Sequence, residues 1–298
     1  MTGVAPTTPS GFRLWLAGAR PRTLWSPVVP VAVGAACAVG EGVVAWWRVA
    51  AALVVSLALQ VGTNYANDYS DGVRGTDKVR VGPIRLVASG LASPDAVKRA
   101  AFGAFGVAAV AGLLLTIAVG PELLVVGAAA IAAGWFYTGG PKPYGYYGFG
   151  ELFVFVFFGL VATAGTTYVL IERLTGLAIA AGAAVGCVTC ALLVINNLRD
   201  IPTDREAGKH TLAVRLGDRA TRWFYAGLVA AAFVIALLTA RVRWEVVLVL
   251  LAVPVAVVPV ARLRAGAAGR ELIAVLGATA RLQLVFGATY ALGLALGG

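Results

Sequence analysis

Nine long apolar segments constrain the fold of this chain more than any other feature of its sequence. They lie near residues 22–40, 46–67, 97–119, 122–139, 150–170, 175–198, 221–240, 244–262 and 272–297. A helix needs about 20 mainly apolar residues to cross the hydrocarbon core of a bilayer. Barrel strands would be short and alternating, whereas these segments are continuous and rich in Ala, Leu, Val and Gly. The sequence therefore predicts an all-α integral membrane protein with nine transmembrane helices, forming one domain over residues 1–298.

The composition agrees with a chain that lies in a bilayer. Of its 298 residues, 60% are hydrophobic and 13% are charged, whereas soluble domains contain about 25% charged residues. The cysteines Cys37, Cys187 and Cys190 all fall within apolar segments, so we expect free thiols and no disulfide framework. Residues 1–21 lack an apolar core followed by a cleavage site, and we expect them to be a cytosolic lead-in.

The distribution of basic residues predicts the orientation in the membrane. If the N-terminus is cytosolic, the cytosolic segments carry 20 of the 24 Lys and Arg residues, as the positive-inside rule requires. We therefore expect a multi-pass protein of the plasma membrane, with its polar loops in the cytosol and its C-terminus outside. The net charge of +10 comes from residues beside the spans. This placement favours contacts with the lipid bilayer and with an anionic substrate. It argues against nucleic acid as a binding partner.

A first polar island, residues 64–90 (NYANDYSDGVRGTDKVRVGPIRLVASG), follows the second span. At helical spacing, four of its side chains share one broad face: Asn64, Asn67, Asp68 and Asp71. Amide and carboxylate oxygens are ligands suited to magnesium. Gly72 and Gly75 are expected to break the helix, so that the chain can return Asp77 to the same place.

A second polar island, residues 196–217 (NNLRDIPTDREAGKHTLAVRLG), follows the sixth span. Asn196, Asp200 and Asp204 recur every four residues, and Pro202 is expected to disturb the helix between the two aspartates. Carboxylates from the two islands would repel one another unless divalent cations lay between them. His210, the only histidine, is either a solvated loop residue or a base or metal ligand.

Basic residues accompany the carboxylates in both islands: Arg74, Lys78, Arg80 and Arg85 in the first, and Arg199, Arg205 and Lys209 in the second. A metal ion together with Arg and Lys is the chemistry that binds a diphosphate. The alternative is that these charges merely balance one another in cytosolic loops. The loop from Phe136 to Glu151, rich in Gly, Pro and Tyr, is either a simple connection or part of the site. Gly182 and Gly186 have the spacing that allows close helix packing.

The two islands resemble the aspartate-rich motifs of the UbiA-type intramembrane prenyltransferases, which also have nine transmembrane helices. More narrowly, the GTD, GP-I-R and S-G elements and the later RD, TD, AGK and TLAVRLG elements are similar to those of the naphthoate branch, the 1,4-dihydroxy-2-naphthoate polyprenyltransferases of menaquinone biosynthesis. Where the wider family has the third aspartate of its first motif, this chain has Gly75. Asp77 takes its place, as in the naphthoate branch.

The resemblance implies that the catalytic residues are the aspartates Asp68, Asp71, Asp77, Asp200 and Asp204. Asn67 and Asp71 would hold one Mg²⁺, and Asp200 and Asp204 would hold another. The substrate-binding residues would be Arg20, Arg22, Lys78, Arg80, Tyr137, Lys142, Tyr144, Arg199 and Lys209. Among these, the residues that would neutralise the diphosphate are Lys78, Arg80, Lys142, Arg199 and Lys209. Tyr137 and Tyr144 would shield an allylic cation, and Arg20 or Arg22 would meet the acceptor carboxylate.

The reaction implied is transfer of a polyprenyl group from polyprenyl diphosphate to 1,4-dihydroxy-2-naphthoate, with loss of CO₂ and diphosphate, to give a demethylmenaquinone. One alternative is another UbiA-type reaction, on a different aromatic compound or a sugar phosphate. A CDP-alcohol phosphotransferase would concentrate its acids in one segment, whereas this chain divides them between two. A transporter would be expected to have charges or helix breaks near the membrane midplane.

Overall fold

The computed structural model describes residues 11–42, 44–76 and 84–298, and all regular structure within them is helical. Short 3₁₀ turns link some of the helices. Within these three ranges the ten helices are α1 (Phe12–Ala19), α2 (Val28–Val39), α3 (Trp46–Arg74), α4 (Pro94–Val119), α5 (Glu122–Phe136), α6 (Gly150–Ile171), α7 (Gly176–Glu206), α8 (Leu212–Leu238), α9 (Trp244–Arg264) and α10 (Glu271–Leu296).

Each of the nine predicted spans corresponds to one helix from α2 to α10. Seven are long and apolar enough to cross a membrane, and the shorter apolar helices are α2 and α5, with 12 and 15 residues. The predicted all-α membrane fold is therefore confirmed for the described residues. Helix α7 is the most enclosed of the long helices, since 72% of its apolar window is buried. It forms the centre of the bundle and carries the second polar island at its C-terminal end.

Hydroxyl side chains define where several helices begin. Ser93 Oγ accepts a hydrogen bond from the N–H of Ala96 before α4, and Pro94 occupies the first helical position. Thr175 and Thr211 cap α7 and α8 in the same way. A hydroxyl N-cap satisfies a backbone N–H that has no partner within the helix, and it contributes about 1 kcal/mol.

Two predictions about the ends of α3 and α7 are wrong. Gly72 does not break α3, which continues to Arg74 and is capped by Gly75 with φ of 71°. Pro202 lies inside α7, which continues to Glu206. Gly72 serves close packing instead, because a Cβ there would lie 2.5 Å from Val87 Cγ1. Both islands therefore begin as rigid extensions of membrane helices.

Helices α6 and α7 cross at glycines. A Cβ added to Gly159 of α6 would lie 2.6 Å from Gly186 Cα and 2.8 Å from the carbonyl oxygen of Gly182. The close packing predicted from the spacing of Gly182 and Gly186 is confirmed. The crossing lies in a π-helical stretch of α6, Phe155–Val161.

Gly159→Ala is therefore expected to destabilise the protein by about 1–3 kcal/mol, because the extra methyl group meets backbone atoms that cannot move aside. Gly165→Ala on the same helix is the matched control, since no heavy atom lies within 4 Å of its added Cβ. Thermal unfolding in detergent compares the two. Equal melting temperatures would show that the crossing tolerates a wider separation.

Candidate active site

The broad polar face of α3 divides into two stripes. Asn64 Nδ2 donates to the carbonyl oxygen of Ala19 at 2.9 Å. The fully buried carboxylate of Asp68 accepts the N–H groups of Leu86 and Val87 at 2.8 and 3.0 Å. This stripe fastens α1 and the segment after residue 84 to α3. The other stripe, with Asn67 and Asp71 one turn apart, faces the remaining components of the site.

Asp71 is the point at which the two polar islands meet. Its carboxylate is buried, and Lys209 Nζ from the second island lies 3.3 Å from Oδ1. Arg85 Nη2 lies 3.8 Å from Oδ2, and the hydroxyl of Tyr146 donates to Oδ1. Lys209 also lies over the Tyr146 ring, 4.6 Å from its centroid. A buried carboxylate is thus balanced by two buried cations.

The segment from residue 137 to 149, the aromatic loop, lies against both islands. Thr138 Oγ1 donates to Asn67 Oδ1 at 2.7 Å, and the guanidinium of Arg74 donates to the carbonyl oxygens of Thr138 and Gly140. On its other side, the N–H of His210 donates to the carbonyl oxygen of Tyr146 at 2.8 Å. The loop is therefore a third component of the site and more than a connection.

In the second island, the carboxylate of Asp200 forms an ion pair with the preceding residue, Arg199. Arg199 Nε and Nη2 donate to the two oxygens of Asp200 at 2.7 and 2.8 Å, and both side chains are largely buried. Asp204 is half-buried one turn later, and its carbonyl oxygen accepts the N–H of Lys209 at 2.8 Å. This backbone hydrogen bond helps to fix the position of Lys209, whose side chain contacts Asp71.

Tyr137 lies within electrostatic reach of both islands. Burial raises the pKa of its phenol, and the charges of Glu151, Asp204 and Asp71 raise it further. Burial likewise raises the pKa of Tyr144 and of Tyr146. The three phenols therefore stay neutral and offer uncharged aromatic faces. Tyr144 contacts the Tyr137 ring edge-on, with centroids 5.5 Å apart.

The remaining predicted residues lie in different places. Arg20 ends α1 near Asp68, Lys142 is exposed on the aromatic loop, and the side chain of Arg22 lies outside what the structure describes. The predictions on Asp77, Lys78 and Arg80 also concern residues outside the described ranges. His210 is exposed and lines a cavity of about 360 Å³ with Arg74, Tyr146 and Tyr147, so the structure places it at a solvent-facing edge.

Several site residues were not predicted from the sequence: Arg85 and Tyr146 as partners of Asp71, Thr138 as a partner of Asn67, and the pair of Glu151 and Asn197. Glu151 is 5% exposed, and its Oε1 accepts a hydrogen bond from Asn197 Nδ2 at 2.8 Å. One signal was available, because Asn197, Asp200 and Asp204 recur at i, i+3 and i+7 on one face of α7. A carboxyl group at the start of an apolar span is a second such signal.

The chemistry of the predicted metal ligands fits Mg²⁺. Asn67, Asp71, Asp200 and Asp204 offer the hard oxygen donors that this ion prefers. Within the described residues, no three acidic, histidine or cysteine side chains are gathered to hold a metal ion. Cationic side chains balance Asp71 and Asp200 instead. The buried carboxylate of Asp71 is thus neutralised by positive charge, and a divalent cation bound there would neutralise it in the same way.

Comparison with known proteins places these features in a family. Residues 28–275 match the model of the UbiA prenyltransferase family. The chain is 49% identical to 1,4-dihydroxy-2-naphthoate octaprenyltransferase of Mycobacterium tuberculosis, over 97% of this chain and 99% of that protein. It is 37% identical to the Escherichia coli protein of the same name, over 76% of this chain and 75% of that protein.

Solved structures share the fold at low sequence identity. A UbiA homologue from Aeropyrum pernix K1 matches with a TM-score of 0.69 and 16% identity, over 90% of this chain and 96% of that one. A UbiA homologue from Archaeoglobus fulgidus, solved with GPP and Mg²⁺ bound, matches with a TM-score of 0.65 and 14% identity, over 95% and 99%. Family model, relatives and fold agree: this multi-pass membrane chain belongs to the UbiA prenyltransferase family.

Proposed function

We propose that this protein transfers a polyprenyl group from an allylic polyprenyl diphosphate to 1,4-dihydroxy-2-naphthoate, releasing CO₂ and diphosphate and giving a demethylmenaquinol, the reduced form of demethylmenaquinone. The observation that carries the proposal is the meeting of the two islands at the buried Asp71 and Lys209 pair. This meeting puts carboxylates, an amide and basic side chains at one site on a membrane bundle. The names of the relatives, at 49% and 37% identity, support the choice of acceptor.

The basic side chains would bind the donor's diphosphate. Lys209, Arg85 and Arg199 are buried beside the acidic residues, where charge-assisted hydrogen bonds are strong because little water competes. Lys78, Arg80 and Lys142 would add to this set. Bound Mg²⁺ would act as a Lewis acid that helps the diphosphate to leave. Asn67 and Asp71 would hold one such ion and Asp200 and Asp204 another, while Asp68 and Asp77 would support the site.

The aromatic residues would protect the reacting carbon. Ionisation of the allylic C–O bond leaves a cation that the acceptor ring must reach before water does. The neutral faces of Tyr137 and Tyr144 can stabilise that cation. Tyr144 stacks on Phe153 with centroids 3.9 Å apart, and Phe153 stacks on Phe157 at 6.1 Å. These rings lead from the site along α6, in the direction that an isoprenoid chain would take into the bilayer.

Orientation and acceptor position belong to the same proposal. The positive-inside bias supports a cytosolic N-terminus and cytosolic polar islands in the plasma membrane, where soluble dihydroxynaphthoate and diphosphate can exchange. Arg20 or Arg22 would bind the acceptor carboxylate.

Labelling of single introduced cysteines from each side of intact vesicles tests the orientation. Labelling of position 142 from the outside would contradict it.

An assay with purified protein tests the activity. In detergent with Mg²⁺, polyprenyl diphosphate and dihydroxynaphthoate, we expect the wild type to form demethylmenaquinol, which air oxidises to demethylmenaquinone during work-up. Asp200→Ala is expected to lower turnover about 10²-fold or more, because it removes a proposed ligand and leaves Arg199 without its buried partner. The product is measured by chromatography and mass spectrometry. No product from the wild type, or equal product from Asp200→Ala, would contradict the assignment.

A further inference from the structure

Glu151 is a buried carboxyl group that the reaction described so far does not use. It is the second residue of α6 and is 5% exposed. Oε1 accepts the hydrogen bond from Asn197, but Oε2 is buried and has no hydrogen-bond partner among the described residues. Leaving a buried polar atom without a partner costs about 1–3 kcal/mol. A buried carboxyl group that costs this much stability is expected to have a function.

The helix dipole does not offset this cost. An acidic side chain in the first turn of a helix stabilises the folded protein by about 0.3–1 kcal/mol at exposed positions. This stabilisation is smaller than the cost of burying the unpartnered carboxylate oxygen. Glu245, in the first turn of α9, also has a buried oxygen that makes no hydrogen bond within the described part of the chain. It is only half-buried and lies outside the polar islands. The position of Glu151 beside the candidate site therefore distinguishes it.

The depth of Glu151 matches the expected position of the reacting carbon. Its partner Asn197 precedes Asp200 by three residues on α7, which places it about 4.5 Å further from the cytosolic end of the helix. The neighbouring Gly150 packs on Tyr137, since a Cβ there would lie 3.5 Å from the Tyr137 hydroxyl oxygen. A diphosphate held at Asp200 would extend its allylic carbon to this level, next to the ring that would face the cation.

We propose that Glu151 is the base that takes a proton from the acceptor and later returns it, an inference that rests on the proposed function. The ring hydroxyl adjacent to the carboxyl-bearing carbon gives its proton to the Glu151 carboxylate. That ring carbon then forms the new C–C bond, and the C–O bonding pair of the donor leaves with diphosphate. The resulting β-keto carboxylate loses CO₂, and its C–C bonding pair becomes a ring enolate. The enolate takes the proton back from Glu151 and becomes the ring hydroxyl of demethylmenaquinol, so no oxidant or reductant is needed.

Two substitutions separate this role from a packing role. Glu151→Gln keeps the shape and the acceptor for Asn197 but cannot take a proton, so kcat should fall about 10²–10⁴-fold, with the KM for polyprenyl diphosphate unchanged. Glu151→Asp keeps a carboxylate in a shorter side chain and should retain more activity than Glu151→Gln. A packing role predicts the reverse order. Melting temperature and donor-induced thermal stabilisation show whether each variant is folded and binds the donor.

Glu245→Gln is the matched control, because it also changes a first-turn glutamate with an unpartnered oxygen and should leave turnover unchanged. Wild-type turnover in Glu151→Gln, or equal loss in the Gln and Asp variants, would overturn the inference. Absence of product from the wild-type enzyme would instead contradict the proposed function itself, so the two failures are distinguishable.

Discussion

Asp71→Asn is expected to lower kcat for prenyl transfer about 10²–10³-fold or more. The change removes the negative charge that balances Lys209 and Arg85, and it replaces a proposed carboxylate ligand of the metal with a neutral amide. A buried cation that loses its partner costs about 3–5 kcal/mol, so the melting temperature in detergent should fall as well. Turnover of polyprenyl diphosphate and dihydroxynaphthoate, measured below the new melting temperature, separates the loss of catalysis from unfolding.

Asp95→Asn is the matched control for this experiment. Asp95 is an exposed first-turn residue of α4, at the same end of the bundle as the polar islands, and its substitution should change neither turnover nor stability by a measurable amount. An Asp71→Asn protein that folds and retains wild-type turnover would show that the meeting point of the two islands is not the active site.

Removal of divalent cations is expected to abolish turnover, and added Mg²⁺ is expected to restore it. The physical reason is the charge of the leaving diphosphate, which the basic side chains would neutralise only in part. Chelation followed by stepwise addition of Mg²⁺ in the same assay measures the concentration required for half-maximal turnover. Asp204→Asn should raise that concentration about tenfold or more, because it replaces a charged carboxylate ligand with a neutral amide.

A chain that turns over at the same rate in excess chelator would contradict a role for Mg²⁺. Ca²⁺ in place of Mg²⁺ provides a further control. It accepts more ligands at longer distances than Mg²⁺, so we expect it to restore turnover poorly while still stabilising the folded protein.

Hydropathy was sufficient to predict the fold, because the length of an apolar segment is a local property. All nine spans were recognised in this way, although α3 and α7 continue beyond the predicted segments. The errors at Gly72 and Pro202 have a tertiary cause. The contact between Gly72 and Val87 depends on a segment that returns to α3, and neighbouring helices can support a proline inside a membrane helix.

The candidate site was predicted in part. Helical spacing brought Asn64, Asn67, Asp68 and Asp71 to one side of α3, but spacing cannot tell which of them bind other parts of the chain. The structure shows that Asp68 holds backbone N–H groups while Asp71 meets Lys209. Both contacts join residues far apart in sequence, so only the tertiary arrangement reveals them. The roles of Asp77, Lys78 and Arg80 stay predictions.

The ion pair between Lys209 and Asp71 has a consequence for how the two ligands bind. A diphosphate alone would draw Lys209 away and deprive the carboxylate of the nearer of its two cations. A divalent cation alone would bind the carboxylate and displace Lys209 from it. Each ligand therefore relieves the charge imbalance that the other creates. We expect a favourable coupling free energy of about 1–3 kcal/mol, which is reciprocal by thermodynamic necessity. Saturation with either ligand should tighten the dissociation constant of the other by the same factor.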